Sequence, residues 1–167
     1  LKAKAIASLS PDVERVDQGT LTGTIAKQKF IQGKIEEKTQ QYQALKITQD
    51  IPVPQSNTIA AQQKEVDVLI GAQRKTGLKD SAKMSKEVRS ELSSIDIDSK
   101  ALNAEIAALT PANAMASFAQ IKAKSAELAG RMGEVSQALE MLKSEVTDVD
   151  PVALEKSAKR VEQGDAA

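Results

Sequence analysis

The clearest hydrophobic pattern lies in the last third of the chain, where apolar residues recur at alternating steps of three and four. A repeat averaging 3.5 residues is typical of a coiled-coil seam, in which each apolar side chain fits between residues of a partner helix. Ser125 is the polar interruption in this pattern. We predict one packing seam with these members: Phe118, Ile121, Leu128, Met132, Val135, Leu139, Leu142 and Val146.

The same repeat is weaker in the first two thirds of the chain. Because an isolated helix gains nothing from an apolar stripe, we expect partner helices to cover these stripes. In the first helix, polar residues occupy the seam positions Thr24, Gln28 and Lys38, and the apolar members are Leu21, Ile31, Ile35, Tyr42 and Leu45. In the second, the phase slips after Ile70, and the members are Ile59, Val66, Ile70, Met84, Val88, Leu92 and Ile95.

A small polar residue followed by proline marks three predicted helix starts, at Ser10-Pro11, Thr110-Pro111 and Asp150-Pro151. The polar side chain can accept a hydrogen bond from an unpaired N–H of the first turn, and proline at the first helical position loses no bond. Two prolines in the Ile51–Pro54 segment exclude helix there, so residues 50–55 form a connector and a further start follows at Ser56 or Asn57.

These starts predict helices over about 11–48, 58–93, 99–109, 111–146 and 151–163, with a short helical lead at Leu1–Ala7. Asp98 would cap the 99–109 piece and Gly164 would end the last helix. At a rise of 1.5 Å per residue, each long helix would reach roughly 55 Å. We therefore predict an all-α fold, a long-helix antiparallel bundle or coiled-coil hairpin, with three long helices plus short helical pieces in one elongated unit over 1–167.

Glycine inside a helix costs about 0.8–1 kcal/mol relative to alanine. Most glycines of this chain fit exposed helix surface or local helix ends, and close approach of two helices or a hinge is the alternative. We predict a kink or break between Gly71 and Gly77, because the seam of the second helix also loses its phase there.

Composition excludes several chemistries. The chain has no Cys, His or Trp and is only 2% aromatic, so thiol nucleophiles, imidazole catalysis and structural zinc sites are absent. Its 23 basic and 23 acidic residues cancel, which makes nucleic acid an unexpected partner. Carboxylate pairs such as Glu36-Glu37 lie in polar runs typical of solvated surface. We predict no enzyme activity, no catalytic residues, no cofactor and no metal.

Two candidate motifs do not fit their consensus patterns. The segment from Gly71 to Gly77 has its second glycine one position too late for a phosphate-binding loop, and Leu78 follows that glycine. The Asp96–Lys100 segment lacks the glycine and the glutamate that a calcium loop requires. We therefore reject the first as a phosphate site, and we interpret the second as a turn with a helix cap.

Basic residues form three small groups that are interleaved with acids. Such groups usually lie on an exposed helix surface, where a basic residue pairs with an acidic residue four positions away, and we interpret all three groups as surface of this kind. Weak contact with an anionic membrane surface is the alternative. The groups are Arg74-Lys75, Lys122-Lys124 and Lys156-Lys159-Arg160.

Two stretches resemble the phage-shock-protein A family, helical membrane-remodelling proteins related to ESCRT-III. Lys64–Arg74, followed by Lys83–Val88, is similar to the end of that family's long hairpin. The start of the family's late helix resembles a second stretch, made of Asn113–Phe118 with Ile121, Lys124, Leu128 and Arg131. The resemblance covers about a third of the chain, and it implies oligomeric rods, rings or sheets at a membrane surface. This chain departs from the family at Pro52-Val53-Pro54, where the family has continuous helix.

Taken together, these patterns favour a non-enzymatic helical coiled-coil scaffold, adaptor or assembly subunit that acts through helix–helix packing. Its expected partners are protein helices, in a homo- or hetero-oligomer. The alternative is a membrane-surface assembling protein of the phage-shock-protein A type, with peripheral membrane contact. We expect a soluble chain, since no apolar run reaches the roughly 20 residues that span a bilayer and no signal peptide is visible.

Overall fold

A computed structural model describes residues 21–164, and every regular element in that range is an α-helix. This confirms the all-α class for the described residues. The predicted start at Pro11 and the helical lead at Leu1–Ala7 lie outside them. The helices are α1 (Leu21–Gln49), α2 (Ser56–Lys75), α3 (Lys79–Ala107), α4 (Ala114–Val149) and α5 (Ala153–Glu162).

The chain divides into two compact units. Among the described residues, the first consists of 21–50 and Leu109–Phe118, and it contains α1. The second consists of Ile51–Ala108 and 119–164, and it contains α2, α3, α5 and most of α4.

The proline connector lies where it was predicted. Residues 51–55 are outside any helix, and α2 begins at Ser56. The Oγ atom of Ser125 donates a hydrogen bond of 2.6 Å to the carbonyl oxygen of Pro52. The polar interruption in the α4 seam therefore fastens the connector to α4.

The single helix predicted over 58–93 is wrong, and the predicted break is confirmed at Gly77. There α2 ends at Lys75 and α3 begins at Lys79. Gly77 has a φ of +76°, the left-handed conformation that glycine adopts without a steric penalty. The Leu78 N–H donates to the carbonyl oxygen of Gln73 at 2.9 Å, which is the six-residue hydrogen bond of a Schellman C-cap.

The separate helix predicted over 99–109 is also wrong, because α3 continues without interruption to Ala107. Ile95 and Ser99 are buried inside this helix, and their burial outweighs the weak helix propensity of the Ile-Asp-Ile-Asp run. Asp98 is consequently no cap, and its carboxylate pairs with Arg131.

The two remaining proline starts lie close to their predicted positions. Thr110 and Asn113 cap each other, since the Thr110 N–H donates to Asn113 Oδ1 at 2.7 Å and the Asn113 N–H donates to Thr110 Oγ1 at 3.3 Å. The turn that they form fills residues 111–113, so α4 begins at Ala114 and not at Pro111, and it ends at Val149 rather than at 146. Asp150 Oδ1 accepts from the N–H of Val152, just before α5.

Gly164 ends the last helix as predicted. Its φ is +76°, and α5 stops two residues earlier, at Glu162.

Three helices of the second unit form a bundle around a narrow core. Helices α2 and α3 are antiparallel and are joined by polar pairs such as Gln63–Ser93. Helices α3 and α4 are also antiparallel, because Glu105 near the end of α3 pairs with Lys124 near the start of α4, and Ser81 near the start of α3 pairs with Glu145 near the end of α4. The buried positions of α3 alternate at steps of three and four, the spacing of a coiled-coil seam. These positions are Ser81, Ser85, Val88, Leu92, Ile95, Ser99 and Leu102, and Ala82, next to Ser81, is buried as well.

The short helix α5 packs against α2 through small residues. Ser157 donates a hydrogen bond of 2.6 Å to the carbonyl oxygen of Val68. A Cβ atom added at Gly71 would lie 2.5 Å from Ser157 Oγ. Gly71 therefore allows α2 and α5 to approach each other closely, whereas Gly77 allows the backbone to turn.

We expect Gly71→Ala to lower the free energy of unfolding by about 1–3 kcal/mol, because the new methyl group overlaps the Ser157 hydroxyl. Ser157→Ala should restore part of this loss in the double variant, since the remaining Cβ would lie at an ordinary contact distance, 3.7 Å. Urea denaturation of the single and double variants measures both effects.

Gly133→Ala is the matched control, because nothing lies within 4 Å of a Cβ added at this α4 position. The gain in helix propensity should stabilise this variant by about 0.5–1 kcal/mol. Equal effects of the two alanine substitutions would contradict close packing at Gly71.

Candidate functional site

The predicted α4 seam is mostly buried. Its two partly buried members are Phe118, in the first unit, and Met132. Arg131 and Lys124 border the seam and contact α3. The six buried members are Ile121, Leu128, Val135, Leu139, Leu142 and Val146.

In the second helical stripe, one predicted member is misplaced. Met84 is 54% exposed, and the adjacent Ser85 takes the core position. Ser85 Oγ donates to Gln73 Oε1 at 2.8 Å, and both side chains are fully buried. The phase slip after Ile70 comes from the turn at Gly77. Because serine is polar, the hydrophobic pattern of the sequence could not show that Ser85 occupies a core position of α3.

Arg131 connects α4 to three acceptors on α3. Its Nε donates to Glu91 at 2.5 Å, its Nη1 to Asp98 at 2.7 Å and its Nη2 to Ser94 at 2.9 Å. The hydrogen bonds to Asp98 and then Glu91 raise the pKa of Arg131 above its usual range. A raised pKa stabilises the fold at every pH below the unfolded value, and because arginine is protonated throughout that range, this stabilisation is present at neutral and mildly alkaline pH alike.

The described residues contain no group of three or more Asp or Glu side chains arranged to hold a metal ion. Of the carboxylates considered as catalytic pairs, Glu36, Glu37 and Asp148 are exposed, and Asp150 is part of the turn before α5. Glu36, Glu37 and Asp148 therefore lie on the helix surface and not in the bundle core.

The apolar side of α1 is largely exposed to solvent. Of the predicted members of this stripe, Ile31 and Leu45 are partly buried, but Leu21, Ile35 and Tyr42 are 77%, 52% and 62% exposed, and Ile25 is exposed as well. The set at steps of four and three, named the α1 face, is Leu21, Ile25, Gln28, Gln32, Ile35, Thr39, Tyr42 and Lys46.

The structure also changes the interpretation of the basic groups. Lys159 lies 3.8 Å from Glu155 four residues away, as predicted, whereas Lys124 pairs at 2.6 Å with Glu105 of the neighbouring helix α3. Arg74-Lys75 and Arg160 instead line a common cleft with two basic residues of α3. These groups are far apart in the sequence, so no local charge run indicates that they meet.

Comparison of the chain with protein families, with curated proteins and with solved structures finds no match. None of the described helices combines the length and the apolar character needed to cross a membrane.

Because the guanidinium group of Arg131 makes three hydrogen bonds, even a substitution that keeps the positive charge should lower the stability of the fold. Arg131→Lys should lower the free energy of unfolding by about 1–3 kcal/mol, because an ammonium group cannot reach all three acceptors in fixed geometry. Arg89→Lys is the matched control, since Arg89 is half exposed and Asp67 is its one ion-pair partner among residues 21–164, and it should cost at most about 1 kcal/mol. Urea denaturation compares the two, and a larger loss in Arg89→Lys would refute the assignment.

Proposed function

We propose that the chain is a non-enzymatic helical scaffold subunit that associates with a second copy of itself through the α1 face. The observation that supports this proposal is the contrast between two stripes of the same period. The α4 seam is mostly buried, whereas Leu21, Ile25, Ile35 and Tyr42 on α1 are exposed to solvent. Exposed apolar stripes at coiled-coil spacing are typical of surfaces that bind another helix.

The spacing of the α1 face suits an antiparallel pair of α1 helices. When two copies pair in opposite directions, Ile25 of one copy meets Tyr42 of the other, and Ile35 meets Gln32. Gln28 then meets Thr39, so the polar members of the face also meet one another. The aliphatic part of Lys46 would cover Leu21, because long basic side chains pack their carbon stems on apolar surface.

Charge complementarity favours the antiparallel direction. Lys29 and Glu36 flank the α1 face on one side, and both are exposed. In the antiparallel pair, Lys29 of each copy lies beside Glu36 of the other, which gives two attractive contacts. A parallel pair would place Glu36 beside Ile31 and Lys29 beside Thr24, with no opposite charges in contact.

The expected association is weak and reversible. Half of the positions on the α1 face are polar, and polar residues at seam positions specify register at a cost in affinity. Self-association of this strength suits a subunit that assembles when its local concentration is high.

Tyr42→Glu and Ile35→Glu should each weaken the dimer at least about tenfold, because each replaces an apolar side chain of the interface with a charge that has no opposite charge facing it. Met141→Glu is the matched control, since Met141 is 72% exposed on α4. Sedimentation equilibrium over a range of protein concentrations measures the dissociation constants. A wild-type chain that remains monomeric, or a control that weakens the dimer equally, contradicts the proposal.

Charge reversal tests the antiparallel register. Lys29→Glu should weaken the dimer, because it places two carboxylates side by side in each pair. Adding Glu36→Lys should restore the affinity, because the exchanged charges again face opposite partners. A double variant weaker than Lys29→Glu alone would rule out this register.

Assembly at an anionic membrane surface is the second candidate function. It is implied by the resemblance to the phage-shock-protein A family, and the basic residues that meet between α2, α3 and α5 favour it. Basic residues near an anionic lipid surface contribute about 1 kcal/mol each. Flotation with vesicles of phosphatidylcholine and phosphatidylglycerol, compared with phosphatidylcholine alone, tests this function, and absence of binding to both would exclude it.

A further inference from the structure

A cleft of about 430 Å³ lies in the second unit between α2, α3 and α5. Ile70, Gly71 and Val161 supply its apolar lining, and Ser157 lies on the same wall. A cleft of this volume falls within the range of small-molecule sites, about 300–1,000 Å³. No residue of the α1 face lines the cleft, so this inference does not rest on the proposed self-association.

Positive charge dominates the lining of this cleft. Asp67 is its one carboxylate among the described residues, and five cationic residues line it: Arg74, Lys75, Lys86, Arg89 and Arg160. The whole chain has as many acidic as basic residues, so this local excess is unlike the rest of the molecule. Like charges held close together repel one another, and the repulsion is relieved when an anion binds between them.

Asp67 neutralises only part of this charge. It forms an ion pair with Arg89, which also holds the Arg89 guanidinium beside the cleft. Within the part of the chain that the structure describes, no ion pair involves Lys75, Lys86 or Arg160. Over residues 21–164, these three side chains therefore have no carboxylate partner that would compete with an anion.

Favourable interaction with helix termini explains only some of these residues. Arg74 and Lys75 lie in the last turn of α2, and Arg160 lies in the last turn of α5. Basic residues there interact favourably with the helix dipole. Lys86 and Arg89 lie within α3, well away from its C-terminal end, so the dipole does not account for their presence in the cleft.

From this geometry we infer that the cleft binds a compact anion that carries a phosphate group with at least two negative charges. Guanidinium groups bind phosphate oxygens in pairs, and lysine ammonium groups contribute point charges. The anion is either a free phosphate compound or the phosphomonoester headgroup of a lipid.

Isothermal titration calorimetry with inorganic pyrophosphate tests the free form of the ligand. The wild-type chain should bind saturably, and Lys86→Glu and Arg160→Glu should each weaken binding at least about tenfold. Each variant has a matched control on the same helix, Lys83→Glu for α3 and Lys156→Glu for α5. Both control residues are exposed and lie outside the cleft lining, so these variants should change the affinity by less than about threefold.

Thermal melting without ligand separates loss of binding from loss of folding. Removing a positive charge from a group of like charges relieves repulsion, so Lys86→Glu should melt no lower than its control. Arg160→Glu should melt slightly lower than its control, because it loses a favourable interaction with the α5 dipole. Should either variant melt lower than expected, Lys86→Gln and Arg160→Gln replace them in the same titration, with Lys83→Gln and Lys156→Gln as controls.

Vesicle flotation tests the lipid form of the ligand. Vesicles of phosphatidylcholine with phosphatidic acid expose a phosphomonoester, and vesicles with phosphatidylglycerol expose a phosphodiester as the charge control. Binding to phosphatidic acid that pyrophosphate displaces identifies a lipid headgroup, and calorimetric binding without flotation identifies a free phosphate compound. Absence of saturable binding in both assays, or equal losses in cleft and control variants, overturns the inference.

Discussion

The bundle depends on one constraint, the burial of three apolar stripes of matching period. The 3.5-residue repeat brings the same face of α2, α3 and α4 to a common axis over most of their length. With 2% aromatic residues, the core is built from aliphatic side chains, alanine and buried serines. Small side chains allow the helices to approach closely, and Gly71 and Ser157 are the small residues at the close contact between α2 and α5.

Several polar side chains join the elements of the bundle to one another. Ser85 donates a hydrogen bond to Gln73, and Ser125 donates one to the connector that precedes α2. The same is true of Arg131, whose three hydrogen bonds join α3 to α4. The α1 face has the same period but is exposed, which is why the proposed assembly depends on α1 and not on the seam of α4.

Local chemistry determined how much could be predicted from sequence. The prolines at 52 and 54, the Thr110 cap and the glycines at 77 and 164 act on neighbouring backbone, so their effects were predictable within a few residues. The break expected before Ser99 was wrong, because the burial of Ile95 and Ser99 depends on distant helices. The α4 seam could be predicted because its members are nearly all apolar. The register of α3 could not, because Ser81, Ser85 and Ser99 occupy buried positions without being apolar.

The basic cleft shows why charge counts along a chain say little about charge in space. Arg74, Lys86 and Arg160 lie in three sequence segments that also contain acidic residues, and each segment alone resembles ordinary helix surface. Folding places their basic sides together and directs most of the neighbouring acids elsewhere. Because electrostatic energy depends on separation in space, a chain with no net charge can still hold a strongly cationic cleft, and such a cleft has a physical reason to bind an anion.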